Sequence, residues 1–393
     1  MSNFRTRNQF AMAKIEATPG TFETLDPATH AIRIENFQVS PNFNVVQASE
    51  YTGSIDETEP LPGAGRGGFS FDAYLRGAGT AGLAPEIGPL LRAAGLSQTL
   101  LASDVTGTAQ AGAASTITLA AGASAVDGFY VGFVIEITSG TGAGQTPRPI
   151  TGYVGSTKVA TIAFPWDVNP DATSVYAIRA GARYRPVAVG QEYCSFAGIA
   201  RPTQAGNAVR DRATRALATW SLAIQSGEMP KFSFSLEGKF LNPDDISDPG
   251  APTLADVSPT PWKGQFGALA RLDGAKFEPS QIDLGLNNTI THPPDPEETH
   301  GLGGAEIVNR AMGGNINPIM RLRATRDVMA DFINGTTRSL VVGAGLVAGK
   351  RWMLTLPKIR YSGAPSRQDN QGILMEQAAF RVLDPLNTYL TFY

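Results

Sequence analysis

Cysteine is nearly absent: Cys194 is the only one in 393 residues. A lone thiol excludes an internal disulfide and any cysteine-rich zinc site, so the fold suits a reducing cytosol. Histidine is almost as scarce, with His30, His292 and His300 making up the set of three. Imidazole catalysis therefore has few candidates, and none sits in a triad motif. Charge is thin at 17% Asp, Glu, Lys and Arg with a net of −3, which leaves no basic field to track a nucleic acid backbone. Long apolar runs are missing too. "MSNFRTRNQF" at the start lacks the apolar stretch of a secretion signal, and "LVVGAGLVAG" from Leu340 reaches about half a membrane span. A soluble, unsecreted chain with no membrane partner is expected.

What is abundant is 43 Gly and 27 Pro, the composition of many short strands and tight turns. The length exceeds the roughly 250–300 residues at which a single core stops growing, so several units are expected. "FSFDAYL" from Phe69 alternates as a half-buried strand, and "PEIGPLLRAAGL" places Ile87, Leu90, Leu91 and Ala94 at helical spacing before a capping Gly95. "LATWSLAI" and "FSFSLEGKF" alternate across the turn "SGEMPK" and read as a hairpin. Between them lies a tract rich in Ala, Gly, Thr and Ser, with strands near "STITLAA", "FYVGFVIEIT", "PRPITGYV", "KVATIAF" and "SVYAIRA". The expected organisation is a discontinuous first domain over 1–102 and 186–248, an inserted β module over 103–185, and a second half over 249–393. "NPDDISDPGAPTLADVSPTP" reads as the linker or long loop between the halves.

The halves share an order of elements. "IENFQVS" leads through a long loop to "FSFDAYL", a helix, and strands ending "EGKFLNP"; "FEPSQIDLGL" leads through another to "NINPIMRL", "TRDVMADFING", and strands ending "AAFRVLDP". Each loop carries an acidic knot, Asp56, Glu57 and Glu59 in one and Asp295, Glu297 and Glu298 in the other, and each ends in a Gly pair, Gly67–Gly68 or Gly313–Gly314. Structural duplication and chance similarity among β-rich segments both fit this pattern.

Candidate chemistry is sparse. "SGTGAGQT" at 139–146 suggests a phosphate loop, but Gln145 occupies the Lys position and "TPRPITGYV" follows where a helix N-terminus belongs, so a hairpin turn is expected. "HPPDPEETH" sets His292 and His300 around three carboxylates without metal-ligand spacing. Cys194 reads as a small buried residue. The basic run "RDRATR" supplies Arg210, Arg212 and Arg215, for phosphate or for a subunit salt bridge. No enzyme, cofactor or metal is expected.

With that order of elements, the chain resembles the tail tube proteins (major tail proteins) of long-tailed bacteriophages. The features that carry the likeness are "FAMAKIEATPGTFETL", "ASEYTGSIDETEPLPGAGRGGFSFDAYLRG", "PEIGPLLRAAGL" and "EQAAFRVLDPLNTYLTFY". The inserted tract, with "GTGAGQ" and "PDATSVYAI", resembles a small β module of phage structural proteins. The resemblance implies a mainly β fold of tandem β-sandwich domains, each flanked by a short helix, plus an inserted barrel- or immunoglobulin-like domain. It implies a virion protein, made in the host cytoplasm, that stacks as rings into the conduit for DNA. A duplicated chain would form a trimer with pseudo-six-fold symmetry in preference to a hexamer. Implied partners are the chain itself, the tape measure protein and DNA transiently in the lumen, and the tail terminator and distal tail proteins. Asp56, Glu57, Glu59, Asp295, Glu297 and Glu298 are expected in the lumen or at a ring-stacking seam facing Arg210, Arg212 and Arg215. Other readings are a tail terminator, a baseplate hub, a decoration protein, or a carbohydrate-binding module presenting Tyr130, Tyr153 and Trp166; a hydrolase is the weakest.

Overall fold

A computed structural model describes residues 3–51, 55–56, 58–204, 206–255 and 257–393. Glu57, one of the acidic knot residues, lies outside them. Strands dominate, and the two longest helices are single short turns of six residues, Gly88–Ala93 and Val328–Ile333. Both were legible in sequence. Gly95 caps the first at φ +82°, and the Asp327 side chain caps the second by accepting from the Ala330 amide at 3.0 Å.

The period-2 patterns become long antiparallel strands. In Leu61–Tyr74 the residues Phe69, Phe71 and Ala73 point into the core, and in Asn207–Gln225 so do Trp220, Leu222 and Ile224. Their partners from Lys231–Ser247 are Phe232, Phe234 and Leu236; Phe234 meets Phe71 at a tilt and Phe232 meets Trp220 edge-on. That strand runs further than "FSFSLEGKF": the stretch Asn242–Ser247, read as linker, still pairs with the start of Asn207–Gln225.

One strand changes partners part-way. Between Thr214 and Leu217 the register of Asn207–Gln225 shifts, and Arg215 adopts a left-handed φ of +51°. This bulge bends the strand. Below it, Trp220–Gln225 pairs with Gln281–Leu286; above it, Val209–Ala216 pairs with Cys194–Ala200. The buried Glu16 carboxylate holds the bend. Its Oε1 accepts from the Arg215 amide (2.7 Å), Thr214 Oγ1 (2.6 Å) and Ser195 Oγ (3.0 Å), and its Oε2 from the Gly20 amide (2.7 Å).

The two halves share a single contiguous core. It runs from Phe69, Phe71 and Trp220 through Ile282, Leu284 and Met312 to Leu340, Leu354 and Phe380. Residues 105–178 form a separate seven-stranded sheet with its own core of Ile117, Ile135, Ile150 and Tyr176. Gly181–Pro186, which the texture of the sequence assigns to this module, belongs to the body, where it pairs with Leu96–Leu101 and Tyr389–Phe392.

The module sits on the far face of the strands Arg338–Ala344 and Trp352–Tyr361. Val341 and Met353, alternating with the core residues Leu340, Val342 and Leu354, meet Val134 and Phe164 of the module. Arg351 pairs with Glu136 of the module at 2.6 Å across this contact, beside the module's own Arg179, also at 2.6 Å.

Candidate assembly surfaces

Eight strands lie side by side, all antiparallel, in one run through the molecule. Their order is the interrupted edge of Glu35–Val39 and Asn42–Val46, then Leu61–Tyr74, Lys231–Ser247, Asn207–Gln225, Pro279–Thr291, Glu306–Pro318, Ile373–Val382 and Ser366–Asn370. One face of this run is the core. The other presents Ser221, Ala223, Ser233, Ser235, Asn287 and Asn315. Small hydroxyl and amide side chains dominate it.

Charge on that face is balanced and mostly tied down. Burial works to push the Asp72 carboxyl up. Ser233 Oγ at 2.6 Å, Asn36 Nδ2 at 2.8 Å and the Lys231 ammonium at 3.3 Å overcome this and hold it below the usual carboxylate range. Asp283 accepts both its contacts from Gln281 at 2.9 Å. Lys231 is paired with Asp72, and Arg381 stands exposed opposite Gly313 beside Arg360, so the described cations on this face are few and phosphate capture by counterion release would be weak.

Both long loops leave the same end of the run. The strands 279–291 and 306–318 meet through residues 292–305, and 42–46 and 61–74 through 47–60. The short turns at 226–230 and 371–372 lie at the opposite end. Gly68 and Gly314 admit the first strand of each pair: a Cβ would lie 2.4 Å from the Ser40 carbonyl at Gly68, and 1.7 Å from the Asp283 carbonyl at Gly314.

This architecture accompanies a match to the phage tail tube protein family over residues 6–366. The chain belongs to that family. No curated protein gives a significant match to add to it. A tail tube protein is a structural component of the virion tail, not normally an enzyme. Self-assembly with other tail proteins comes with the family.

In this tail tube protein the acidic-knot residues that are described, Asp56, Glu59, Asp295, Glu297 and Glu298, stand on the loops, outside the strands of the polar sheet face. Residues 292–305 fold back over the first half. The His300 carbonyl accepts from the Gly65 amide at 3.0 Å, its ring meets Phe43 and Phe240 edge-on at 5.4 Å, and Glu298 pairs with Lys239. Asp295 turns the loop by accepting from the Glu297 amide at 3.1 Å. His292 is buried beside Glu237, at 3.6 Å, so the two histidines face different neighbours and do not converge on one centre. Asp56 and Glu59 lie on the other loop.

The arginine run does not wait for those carboxylates. Arg210 and Arg212 pair with Asp244 at 2.6 and 3.2 Å, their guanidinium groups over Phe22, and Arg215 pairs with Glu306 at 2.6 Å. Hydrogen bonding from Arg210 holds Asp244 below the usual carboxylate range.

Other candidates take structural places. Tyr130, Tyr153 and Trp166 are buried in the module core, so they offer no sugar platform. Burial pushes the Cys194 thiol up, away from the reactive thiolate. In "SGTGAGQT" the glycines 140, 142 and 144 all take positive φ. Gln145, where a phosphate loop has Lys, staples the turn through the Asp167 and Val168 amides at 2.7 and 3.0 Å. The loop joins Val134–Ser139 to Arg148–Val154 as the expected hairpin. Sequence reasoning missed the polar sheet face; the Ser and Ala alternation at 221, 223, 233 and 235 was its one visible signal.

Acid should loosen the loop 292–305. The His292 ring and, at 3.4 Å, Arg66 hold the Glu237 carboxyl below its ordinary range against its burial. A depressed carboxyl contributes stability above its unfolded pKa and loses it as pH falls through the folded value, so the window opens below about pH 4.3. Hydrogen exchange at the Gly65 amide should accelerate there relative to pH 6 after correction for intrinsic rates, and Glu237→Gln should blunt that change.

Proposed function

We propose that three copies of this chain close into a ring whose channel is lined by the polar face, and that stacked rings form the tail tube through which DNA passes. The observation that supports this reading is a small-residue, near-neutral sheet face bounded by two strand edges that have no further strand partner among the described residues. Exposed edges of this kind invite pairing with another copy, and closure removes them.

Width favours three copies. At about 4.8 Å between strands and a tilt of about 40°, three runs of eight strands enclose a barrel about 45–50 Å across its backbone. Six runs would double that to about 95 Å by the same relation, far more than one duplex occupies. The neutral lining lets phosphates slide, because capture needs clustered Lys or Arg. The module, packed on the opposite side of the core, would then face outward. The acidic loops, at one end of the strands, suit contacts between successive rings more than the lumen wall. Ring stacking is a head-to-tail contact that does not close, and so gives filaments.

Electron microscopy of the purified chain tests this. Hollow filaments with three-fold rings in axial view are expected. Solid particles, or rings whose channel is lined by the module, would overturn it.

A further inference from the structure

One transverse row of the polar face ends in two arginines. Directly opposed residues cross the strands in the order Ser233, Ser221, Gly285, Gly313, Arg381 and, on the flanking strand Trp352–Tyr361, Arg360. Their chain neighbours Ile359, Tyr361, Phe380 and Val382 are buried in the core. Arg360 and Arg381 therefore point away from the core together, and both are exposed. Cβ atoms of directly opposed residues lie about 4.5–5.5 Å apart, and like charges so placed repel.

Nothing within the chain offsets that repulsion. Neither guanidinium has a carboxylate within ion-pair distance among the described residues, and Arg360 donates to Thr337 Oγ1 at 3.5 Å. Nearby carboxylates are engaged elsewhere: Asp331 and Asp273 with Arg338 at 2.5 and 2.7 Å, and Asp384 with Lys358 at 3.9 Å. On the face itself Asp283 stands two strands from Arg381 and takes Gln281 at 2.9 Å. Asp72, opposite Ser233, is held by Ser233, Asn36 and Lys231. Five strand spacings of about 4.8 Å separate it from Arg381, well over the screening length of about 8 Å in physiological salt.

The approach to the pair is open. Gly285 and Gly313 carry no side chain, and a Cβ at Gly313 would lie 2.6 Å from the Phe380 carbonyl and 3.6 Å from Arg381 Cγ. We infer that Arg360 and Arg381 together form a contact for a backbone phosphate of duplex DNA, one such contact per copy. Guanidinium groups present forked N–H donors that match phosphate oxygens. This rests on the reading of the polar face as the channel wall and names where the duplex touches that wall. One contact per copy neutralises few phosphates, so it orients passing DNA without arresting it.

Arginine side-chain resonances test the contact. With the isotope-labelled chain and a short blunt duplex at about 50 mM salt, the Nε–Hε signals of Arg360 and Arg381 should move together, and about 200 mM salt should abolish the shifts. Those of Arg210 and Arg338, tied to carboxylates, should stay in place. The chain carrying both Arg360→Gln and Arg381→Gln should bind the duplex at least about fivefold more weakly, with the slope of log K against log salt shallower by about one. Absence of the shifts, or equal shifts at every exposed arginine, would overturn the contact. Inorganic phosphate moving the same signals as far at equal phosphate concentration would make this a site for a free anion and overturn the duplex reading. Electron microscopy separates the contact from the ring reading, since the double variant should form the same tubes as the unsubstituted chain. Tubes lost only in the variant would assign the arginines to assembly and overturn the contact. Tubes absent from the unsubstituted chain, with the shifts present, would overturn the ring reading and leave the phosphate contact standing.

Discussion

Arg367→Pro should raise the concentration needed for assembly at least tenfold while the isolated chain keeps its fold. The hairpin 366–370 to 373–377 closes through a two-residue turn, with Asn370 opposite Ile373. In such a hairpin the amides of 366, 368 and 370 turn inward and those of 367 and 369 turn out. Proline at 367 therefore leaves the internal ladder intact. It removes a donor from the outward edge and sets a ring where the neighbouring strand must lie. A lost hydrogen bond is worth about 1 kcal/mol and the steric clash adds to it; about 1.4 kcal/mol is tenfold in affinity. Sedimentation against concentration measures the shift, and a melting temperature within a degree or two of wild type shows that the fold survives. Unchanged assembly would mean that this edge is not a ring contact.

Glu16→Ala is expected to cost about 3 kcal/mol or more of folding stability, because it strips four donors of their acceptor in a buried site, and hydrogen bonds to a charged group are worth about 1.5–3 kcal/mol each. Those donors, from Gly20, Ser195, Thr214 and Arg215, are where the chain bends so that Asn207–Gln225 can serve two neighbours. Glu16→Gln should cost less, about 1 kcal/mol, since one amide oxygen can keep the three bonds now made to Oε1. Denaturant unfolding checks the order. Equal losses for both would show that charge, not acceptor geometry, holds the bend.

Elements with strong local signals were legible without coordinates. The helix at Gly88–Ala93 follows from apolar spacing and Gly95, the hairpin of 207–225 and 231–247 from clean alternation, and the module strands from β-branched runs between turn residues. The phosphate-loop candidate fell to its missing Lys and following strand. The aromatic trio of the module, a sugar platform only in an alternative reading, lies in its core; an aromatic in a strand signals burial and binding alike until its neighbours are known. Likewise the acidic knots and the arginine run looked complementary, yet the arginines find Asp244 and Glu306 across strands that sequence cannot pair.

The sequence by itself determined that this is a mainly β chain with two similarly ordered halves and a tract of different texture between their strands, because turn chemistry and period-2 alternation are local properties. Tertiary structure alone decided which strands are neighbours. Pairing is set by register, bulges and the burial of one shared core, as at Arg215, where a single bulge hands a strand from one partner to another. From that came the eight-strand run, its polar face and its two open edges, none of which can be read from spacing along the chain.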